Sequence, residues 1–185
     1  MEHSLKGYAF RYCNSIKSQK KDHLKAIHIY SFRNDSNVCY IVNVEEYSHE
    51  IHVVKFYLKK HAQSERKYNV ETQFGNARRV IYTCIDIGLE IFSRKPLASF
   101  GFIGSPTESE LSSSLLNNTQ RFRVYEYFAK FFFSPENFSH SFNIENSSYV
   151  ILNRNYQNNH CPDAMIQITE MFKKDIESLH LPRAR

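Results

Sequence analysis

Hydrophobic and polar residues alternate along three segments in the first third of the chain, at residues 25–32, 38–44 and 50–58. β-Branched and aromatic residues fill most of the apolar positions, and short polar breaks separate the segments. Alternation with a period of two is typical of a strand that buries one face, and short polar breaks join antiparallel neighbours. The pattern therefore predicts an antiparallel β-meander, with residues 7–13 as an additional edge strand.

Apolar residues recur at helical spacing in three later segments, 76–93, 119–133 and 165–179. This spacing places them on one face of a helix. Asn76 has a side chain suited to capping the first helix. Pro96 ends that helix, because the residue before a proline is disfavoured in helical geometry. We predict three amphipathic helices, of which the first two lie in the middle of the chain.

Further strands are predicted at residues 97–103, 138–142 and 148–152. Gly101, in the middle of the first, indicates a bulge or a close backbone approach. Residues 105–116 are rich in serine and longer than a usual connection, so we expect a mobile loop there. The predicted fold class is α+β, an antiparallel β-meander followed by α-β-α-β-β-α in a mixed sheet flanked by helices. Its central strand–helix–strand unit favours a parallel pairing.

The composition fits one folded domain over residues 1–185, with the mobile loop near 104–118. Hydrophobic residues make up 42% of the chain and aromatic residues 15%, which exceeds what a disordered chain carries. The four cysteines are scattered, and this predicts reduced thiols and a cytoplasmic location rather than a disulfide framework. The sequence shows no signal segment and no apolar stretch of about 18 residues, so we expect no membrane partner.

Arginine pairs lie near the start of both central helices, Arg78 with Arg79 and Arg121 with Arg123. A helix N-terminus carries partial positive charge, so cations there are unfavourable unless an anion lies nearby. If the flanking strands are parallel, both N-termini lie at one edge of the sheet and can bind a shared anion. We assign anion or partner binding to Arg79, Arg121 and Arg123. The alternative is that the arginines reach solvent or pair with nearby carboxylates, which fits Arg78 and Arg123 better than the other two. The candidate carboxylates are Glu71, Glu108 and Glu126.

Motifs of the common enzyme classes are absent from the sequence. The chain has no nucleophile elbow, no phosphate-binding P-loop, no zinc-protease helix and no paired CxxC. Its histidines occur singly and its carboxylates are scattered, so we predict no metal site. The net charge of +5 permits an anionic partner such as an acidic protein surface or nucleic acid.

Residues 72–81, TQFGNARRVI, resemble the loop with which the GNAT family of N-acetyltransferases binds the pyrophosphate of acyl-CoA, Q/R-x-x-G-x-G/A followed by a helix. Gly75 and Ala77 match the small residues of that loop, and Arg78 occupies a position where a basic residue is common. The order of the predicted elements over residues 25–153 is also similar to the GNAT order. This resemblance implies that Gly75, Ala77, Arg78 and Arg79 would contact acetyl-CoA.

Residues 118–129, NTQRFRVYEYFA, are similar to a later helix of the same family, N-x-x-A-x-x-L-Y-E-x-x-G. Asn118 and Tyr125 fall on its Asn and Tyr. The resemblance implies that Asn118 contributes to cofactor binding and that Tyr125 is the general acid for the departing CoA thiolate. Glu46 or Glu50, on or near the meander, is then the candidate general base.

Three classes of function remain open, and the first is the one that the sequence favours. It is a non-catalytic interaction or accessory module without a cofactor, which binds an acidic protein patch or nucleic acid through the arginine-rich edge. In the nucleic-acid version, Tyr68 and Tyr127 are candidate platforms for base stacking. The second class is a GNAT-type N-acyltransferase that uses acetyl-CoA, and the third is a hydrolase or toxin without a recognisable motif. The segments LASFGFIGS and NTQRFRVYEYF resemble parts of small uncharacterised bacterial proteins, which implies a bacterial or phage source.

Overall fold

The computed structural model describes residues 6–19, 23–69, 77–113, 117–145 and 147–180, without the side chains of Glu108 and of residues 174–180. In this part of the chain, seven strands form one sheet in the order β1-β2-β3-β4-β5-β7-β6. The strands are β1 (Phe10–Lys17), β2 (Leu24–Arg33), β3 (Cys39–Tyr47), β4 (Ile51–Leu58), β5 (Ser99–Ile103), β6 (Phe138–Asn143) and β7 (Ser148–Asn153). The helices are α1 (Ala77–Arg94), α2 (Glu108–Ser112), α3 (Gln120–Phe132), α4 (Arg154–Asn159) and α5 (Ala164–His180), and Lys59–His61 form a 3₁₀ turn after β4.

The predicted α+β class and the parallel unit at its centre are confirmed. Strands β1 to β4 pair antiparallel, as do β5, β7 and β6, whereas β4 and β5 run parallel and are joined through α1. The parallel ladder runs only from the pair Ile51–Ser99 to the pair Val53–Gly101, although β4 continues to Leu58. The two strands therefore stop pairing beyond Gly101, toward the edge of the sheet at which α1 and α3 begin.

Helices cover the two faces of the sheet with separate cores. Helices α1 and α3 lie on one side, which we call face A, where Val42, Ile87 and Phe122 belong to the main core. Helix α5 lies on the opposite side, face B, where Ile168 packs with Ile51 in a smaller core. Because successive residues of a strand point to opposite faces, β4 and β7 contribute to both cores.

Close packing at the end of β5 fixes the position of α3. A Cβ atom on Gly104 would lie 2.6 Å from the backbone nitrogen of Phe122 and 2.7 Å from Oγ1 of Thr119. The Thr119 hydroxyl donates to the Gly104 carbonyl at 2.6 Å and accepts from the Phe122 N–H at 3.2 Å. Thr119 is thus the N-cap of α3, and glycine at position 104 lets the helix begin directly against the strand.

Some local predictions differ from the structure at the strands. β1 begins at Phe10, later than predicted, and a bulge shifts its pairing with β2 between Tyr12 and Asn14. β3 extends to Tyr47, three residues beyond its predicted end. The bulge or close approach expected at Gly101 is wrong. Its ladders run without a register shift, and a Cβ there would meet nothing closer than 3.4 Å.

Two short helices lie where the sequence predicted none. Helix α2 occupies part of the serine-rich segment that we expected to be a loop. The Thr107 hydroxyl accepts from the Glu110 N–H at 3.3 Å, and the Glu110 carboxylate accepts from the Thr107 N–H at 2.9 Å, which forms a capping box. Helix α4 begins after Asn153, whose side-chain oxygen accepts from the Asn155 N–H at 2.9 Å. The predicted cap Asn76 lies outside the described residues.

Candidate functional site

A cleft of about 500 Å³ lies between the first turns of α1 and α3. We call it the basic cleft, because three of its lining residues are arginines. Its volume falls within the range of roughly 300–1,000 Å³ that is typical of small-molecule sites. The residues that line its mouth come from the two helix starts: Ala77, Arg78, Gln120, Arg121 and Arg123. The parallel strands therefore bring both helix N-termini to one edge, as the sequence predicted.

A smaller cavity of about 70 Å³ adjoins the basic cleft between α1, α3 and the sheet. We call it the apolar slot, because its walls are almost entirely apolar. Val54 of β4 and Phe102 of β5 line it, and these two residues flank the point where the parallel ladder ends. The side chains shared by the slot and the cleft are Phe56, Ile81, Tyr125 and Phe128. The two spaces thus share a wall, and we call them together the depression, with a basic mouth and an apolar inner end.

Arg79 does not belong to this depression, although the sequence placed it at the anion-binding edge. Its guanidinium lies 2.5 Å from the Asp35 carboxylate and 4.0 Å from the ring centroid of Tyr8. Asp35 lies in the turn between β2 and β3. Successive residues of a helix point in different directions, so Arg79 faces the meander whereas Arg78 faces the cleft.

Arg121 and Arg123 line the cleft but also make contacts within the protein. Arg121 donates from its guanidinium to the carbonyl of Tyr68, which holds the end of the loop after β4 against α3. Arg123 donates to the carbonyl of Asn118 at 2.5 Å. Asn118 has a left-handed backbone with φ of 46°, and its carbonyl accepts this hydrogen bond from Arg123. Glu126, one of the three candidate carboxylates, contacts Lys130 at 2.8 Å.

The N-terminus of α3 already holds an anion from the protein itself. The Glu110 carboxylate accepts from the N–H of Gln120, the first residue of α3, at 2.7 Å. Burial raises the pKa of Glu110, but hydrogen bonds from the Thr107 and Gln120 N–H groups outweigh it, so the pKa lies below its usual value. The start of α3 is therefore less available to an external anion than the start of α1.

Arg78 is the arginine of the cleft with the fewest partners. Its side chain is exposed, and it makes no ion pair or hydrogen bond within the described ranges. Among the described residues, the first turn of α1 contains no acidic side chain that would compensate the helix dipole. The start of α1 is accordingly the position in the cleft at which an anion would gain most. Gly75, which the resemblance assigned to the cofactor, lies outside the described residues.

Tyr125 lies at the junction of the cleft and the slot. Its ring packs edge-to-face on Phe102, with centroids 4.8 Å apart, and its hydroxyl has no hydrogen-bond partner among the residues that the structure describes. Burial raises the pKa of Tyr125 above its usual value, although Arg121 acts in the opposite direction. The phenol is therefore protonated at neutral pH and is a donor there.

The candidate general bases lie elsewhere in the sheet. Glu46 pairs across the ladder with His52, near the start of β4, and Glu50 precedes β4, whereas the basic cleft lies where β4 ends. Burial raises the pKa of Glu46, but hydrogen bonds from Lys95 and His28 reverse this and lower it to about 2. A carboxylate held this strongly in its ionised form is a poor proton acceptor. None of the described residues that line the cleft or the slot is an aspartate, glutamate or histidine.

The nucleic-acid version of the sequence prediction named two tyrosines, and they differ in exposure. Tyr127 is 67% exposed at the rim of the cleft. Tyr68 is instead packed edge-to-face on Tyr57 and accepts a hydrogen bond from Asn43 at 3.2 Å. Burial raises the pKa of Tyr68 to about 12, so this ring is not an open stacking platform.

Sequence reasoning missed the apolar residues of the slot, which it treated as core. Phe56, Ile81 and Phe128 have the spacing of ordinary buried positions, and only the end of the parallel ladder exposes a cavity beside them. Within the described part of the chain, no group of three or more potential ligand side chains could hold a metal ion. None of the helices there has the length and apolar character needed to span a lipid bilayer.

Comparison with protein-family models, with curated proteins and with solved structures found no match. The resemblance to the GNAT family therefore stays a prediction, and the function is argued from the geometry of the cleft and the slot.

Proposed function

We propose that this chain binds an acyl-CoA in the depression between α1 and α3 and transfers the acyl group to an amine. The observation that carries the proposal is that the basic cleft and the apolar slot adjoin each other and share the side chains of Phe56, Ile81, Tyr125 and Phe128. An acyl-CoA has the matching polarity, with phosphates at one end and an acyl thioester at the other. The small volume of the slot favours a short acyl chain such as acetyl.

The phosphates would lie at the mouth of the cleft. Arg78 is exposed there and has no partner among the described residues, and the N-terminus of α1, whose described first turn has no acidic residue, adds its dipole. Arg121 and Arg123 add positive charge across the cleft. Charge-assisted hydrogen bonds from arginine to phosphate are among the stronger polar contacts in proteins.

The thioester would lie beside Tyr125, where the slot meets the gap between β4 and β5. The amine nitrogen attacks the thioester carbonyl carbon, a C–N bond forms and the C–S bond breaks. The departing thiolate takes the phenolic proton of Tyr125, and the proton lost from nitrogen returns through solvent to the tyrosine. Tyr125 is protonated before the reaction. Burial raises its pKa and so makes it a weaker acid than an ordinary tyrosine, whereas Arg121 acts in the opposite direction by favouring the phenolate.

A non-catalytic binding module is the second candidate, and one observation favours it. The described lining of the cleft and the slot contains no aspartate, glutamate or histidine that could accept a proton. An acyl transfer without such a base depends on an amine that is already neutral. The same cleft can instead hold an anionic part of a protein or nucleic acid without any reaction.

Thermal unfolding with and without acetyl-CoA at about millimolar concentration tests the binding step. A ligand that binds only the folded state raises the midpoint temperature. We expect a rise that Arg78→Glu abolishes, while Lys17→Glu leaves it intact. Lys17 is exposed on β1 at the far edge of the sheet, so it matches the charge change but not the location.

Release of free CoA thiol in the presence of an amine then separates the two candidates. Turnover that Tyr125→Phe slows, with acetyl-CoA binding retained, supports the acyltransferase. Binding without turnover for any amine supports the non-catalytic module. A midpoint that acetyl-CoA leaves unchanged would overturn the proposal for both the cofactor and the reaction.

A further inference from the structure

A third cavity, of about 430 Å³, lies on face B of the sheet, beneath α5. We call it the α5 cavity. Val53, Ile103 and Val150 form its apolar floor, and Phe172 and Lys173 of α5 form one wall. It therefore lies on the opposite side of the sheet from the basic cleft and the apolar slot.

The α5 cavity and the apolar slot adjoin each other through the sheet. Gly101 and Phe102 of β5 line both of them. The parallel ladder ends at the pair Val53–Gly101, so β5 has no β4 neighbour beyond this point. A molecule in the α5 cavity can accordingly approach the inner end of the slot through the gap between the two strands.

Gly101 leaves room for this approach because it has no side chain. A Cβ there would lie 3.4 Å from Cδ1 of Ile51 and 3.6 Å from Cγ2 of Val53, both of which belong to face B. These are ordinary van der Waals distances, so a larger side chain at position 101 would extend into the α5 cavity. The glycine is not required for the backbone, since its ladders are regular.

The polar lining of the α5 cavity combines one positive charge with neutral side chains. Lys173 is the only charged residue in its described lining, and it is exposed without an ion pair to any described residue. The Ser141 hydroxyl also has no hydrogen-bond partner within the described ranges, whereas the Thr169 hydroxyl donates to the Met165 carbonyl at 2.7 Å. An ammonium and a free hydroxyl suit the two oxygens of a carboxylate.

We propose that the α5 cavity binds the acyl acceptor and selects an amine that also carries a carboxylate, with Lys173 as its counter-ion. The assignment as acceptor rests on the proposed acyl-CoA function, but the preference for a carboxylate does not. With the carboxylate at Lys173 and the apolar part on Val53 and Val150, the amine faces the gap beside Gly101. Its nitrogen replaces sulfur on the acyl carbon as described above, so amide and free CoA thiol are the products.

Binding is tested first, without any acyl-CoA, on the full chain by NMR titration with L-phenylalanine and L-phenylalaninamide. The two probes share the amine and the ring and differ in the carboxylate. We expect shifts at Gly101, Val150 and Ser141, and binding of the acid about tenfold or more tighter than the amide, as a charge-assisted contact provides. Lys173→Met removes the charge but keeps the length of the side chain, and it should make the two affinities equal. Lys17→Met is the matched control and should preserve the difference.

Three results of the titration would overturn the carboxylate preference. They are equal affinities in the wild-type chain, a preference that survives in Lys173→Met, and the absence of shifts around the cavity with either probe. None of these depends on whether acetyl-CoA binds.

The acceptor role is tested by CoA thiol release from acetyl-CoA with the same two probes. We expect kcat/KM for the acid to exceed that for the amide by about tenfold, and the ratio to fall to near one in Lys173→Met at an unchanged KM for acetyl-CoA. Gly101→Val, whose side chain would extend into the α5 cavity, should raise KM for the acceptor. Acetyl-CoA binding without thiol release in either reaction would overturn the acceptor role alone. Failure of acetyl-CoA to bind would overturn the proposed function and leave the titration result standing.

Discussion

The guanidinium of Arg79 lies 2.5 Å from the Asp35 carboxylate and thereby joins the first turn of α1 to the turn between β2 and β3. Arg78, the preceding residue, has no such partner in the described ranges and lines the basic cleft. Two adjacent arginines of one helix thus serve different purposes, the first available to a ligand and the second part of the fold. Substitution of Arg78 should therefore affect ligand binding, and substitution of Arg79 should affect the free energy of unfolding.

Arg79→Gln should lower the free energy of unfolding by no more than about 1 kcal/mol, because the Arg79 and Asp35 side chains are 41% and 65% exposed. Loss of the contact with the Tyr8 ring is included in this figure. Acetyl-CoA binding should not change, whereas Arg78→Gln should weaken it. Urea denaturation and the thermal shift with acetyl-CoA measure the two effects. A loss of binding in Arg79→Gln as large as that in Arg78→Gln would refute this division of roles.

Gly104→Ala should destabilise the protein by more than about 2 kcal/mol, because its Cβ would lie 2.6 Å from the backbone nitrogen of Phe122. The neighbouring atoms belong to the capped start of α3 and cannot move without breaking the Thr119 hydrogen bonds. Gly88→Ala in α1 is the matched control, since its Cβ would meet only the Phe100 ring at 3.5 Å. Alanine is favoured over glycine in a helix by about 0.8–1 kcal/mol, so the control should be neutral or stabilising. The midpoints of urea unfolding of the two variants test this, and a midpoint of Gly104→Ala equal to that of Gly88→Ala would contradict the prediction.

Glu46 should make the protein sensitive to acid below pH 4.5. Its pKa is lowered from 4.5 to about 2 in the folded state, with burial opposed by hydrogen bonds from Lys95 and His28. A carboxyl whose folded pKa is depressed stabilises the fold above its unfolded pKa, and that contribution is lost as the pH falls toward the folded pKa. The contribution at neutral pH is roughly 3 kcal/mol, taken at 1.36 kcal/mol per pKa unit. Glu46→Gln should flatten the pH dependence of unfolding between pH 4.5 and 2, and an unchanged slope would contradict the assignment.

His52 should cause a separate loss of stability at milder pH. Its side chain is fully buried on β4, and its Nε2 has no hydrogen-bond partner in the described structure. Burial lowers the pKa of His52, with Lys95 acting in the same direction and Glu46 against it. The unfolded chain therefore takes up a proton first as the pH falls below about 6.5, and this favours unfolding.

The variant His52→Leu removes this titration and keeps an apolar side chain against Phe100, which lies 6.0 Å from the imidazole between ring centroids. We expect the free energy of unfolding of the wild-type chain to fall more between pH 7.5 and 5 than that of the variant. Burial also lowers the pKa of His49, so part of the dependence should remain. If the free energy of unfolding changes with pH by the same amount in both proteins, His52 has the same pKa in the folded and unfolded states and the prediction is wrong.

The periodic elements could be predicted from the sequence because their signals are local. The apolar spacing of α1 and α3 and the alternation in β2 and β4 each lie within one segment, and the parallel unit follows from their order. Helix α2 also had a local signal, because Thr107 and Glu110 have the spacing of a capping box, but the surrounding serines favoured a loop. The α+β class needed no long-range information.

The site could be predicted only in part, since its geometry depends on contacts between distant segments. The convergence of Arg78, Arg121 and Arg123 follows from the parallel crossover. The local pattern does not indicate that Arg79 pairs with a residue 44 positions earlier. It also does not indicate that the Glu110 carboxylate occupies the N-terminus of α3. The apolar slot was hidden for the same reason, because residues that line a cavity have the same character as residues that fill a core.

The bulge in β1 also has a consequence for how the molecule behaves at high concentration. An exposed edge strand offers unpaired amide groups to a strand of another molecule, and β1 is eight residues long with Tyr12 and Ile16 about half exposed. The irregularity between Tyr12 and Asn14 interrupts the even spacing that a partner strand would need. Cys13 is the extra residue of the bulge, since Tyr12 and Asn14 pair with consecutive residues of β2. Deletion of Cys13 would restore regular pairing and leave an uninterrupted edge strand that another molecule could pair with. We expect the deletion variant to precipitate at a lower protein concentration than the wild-type chain, because β1 strands of different molecules would pair edge to edge.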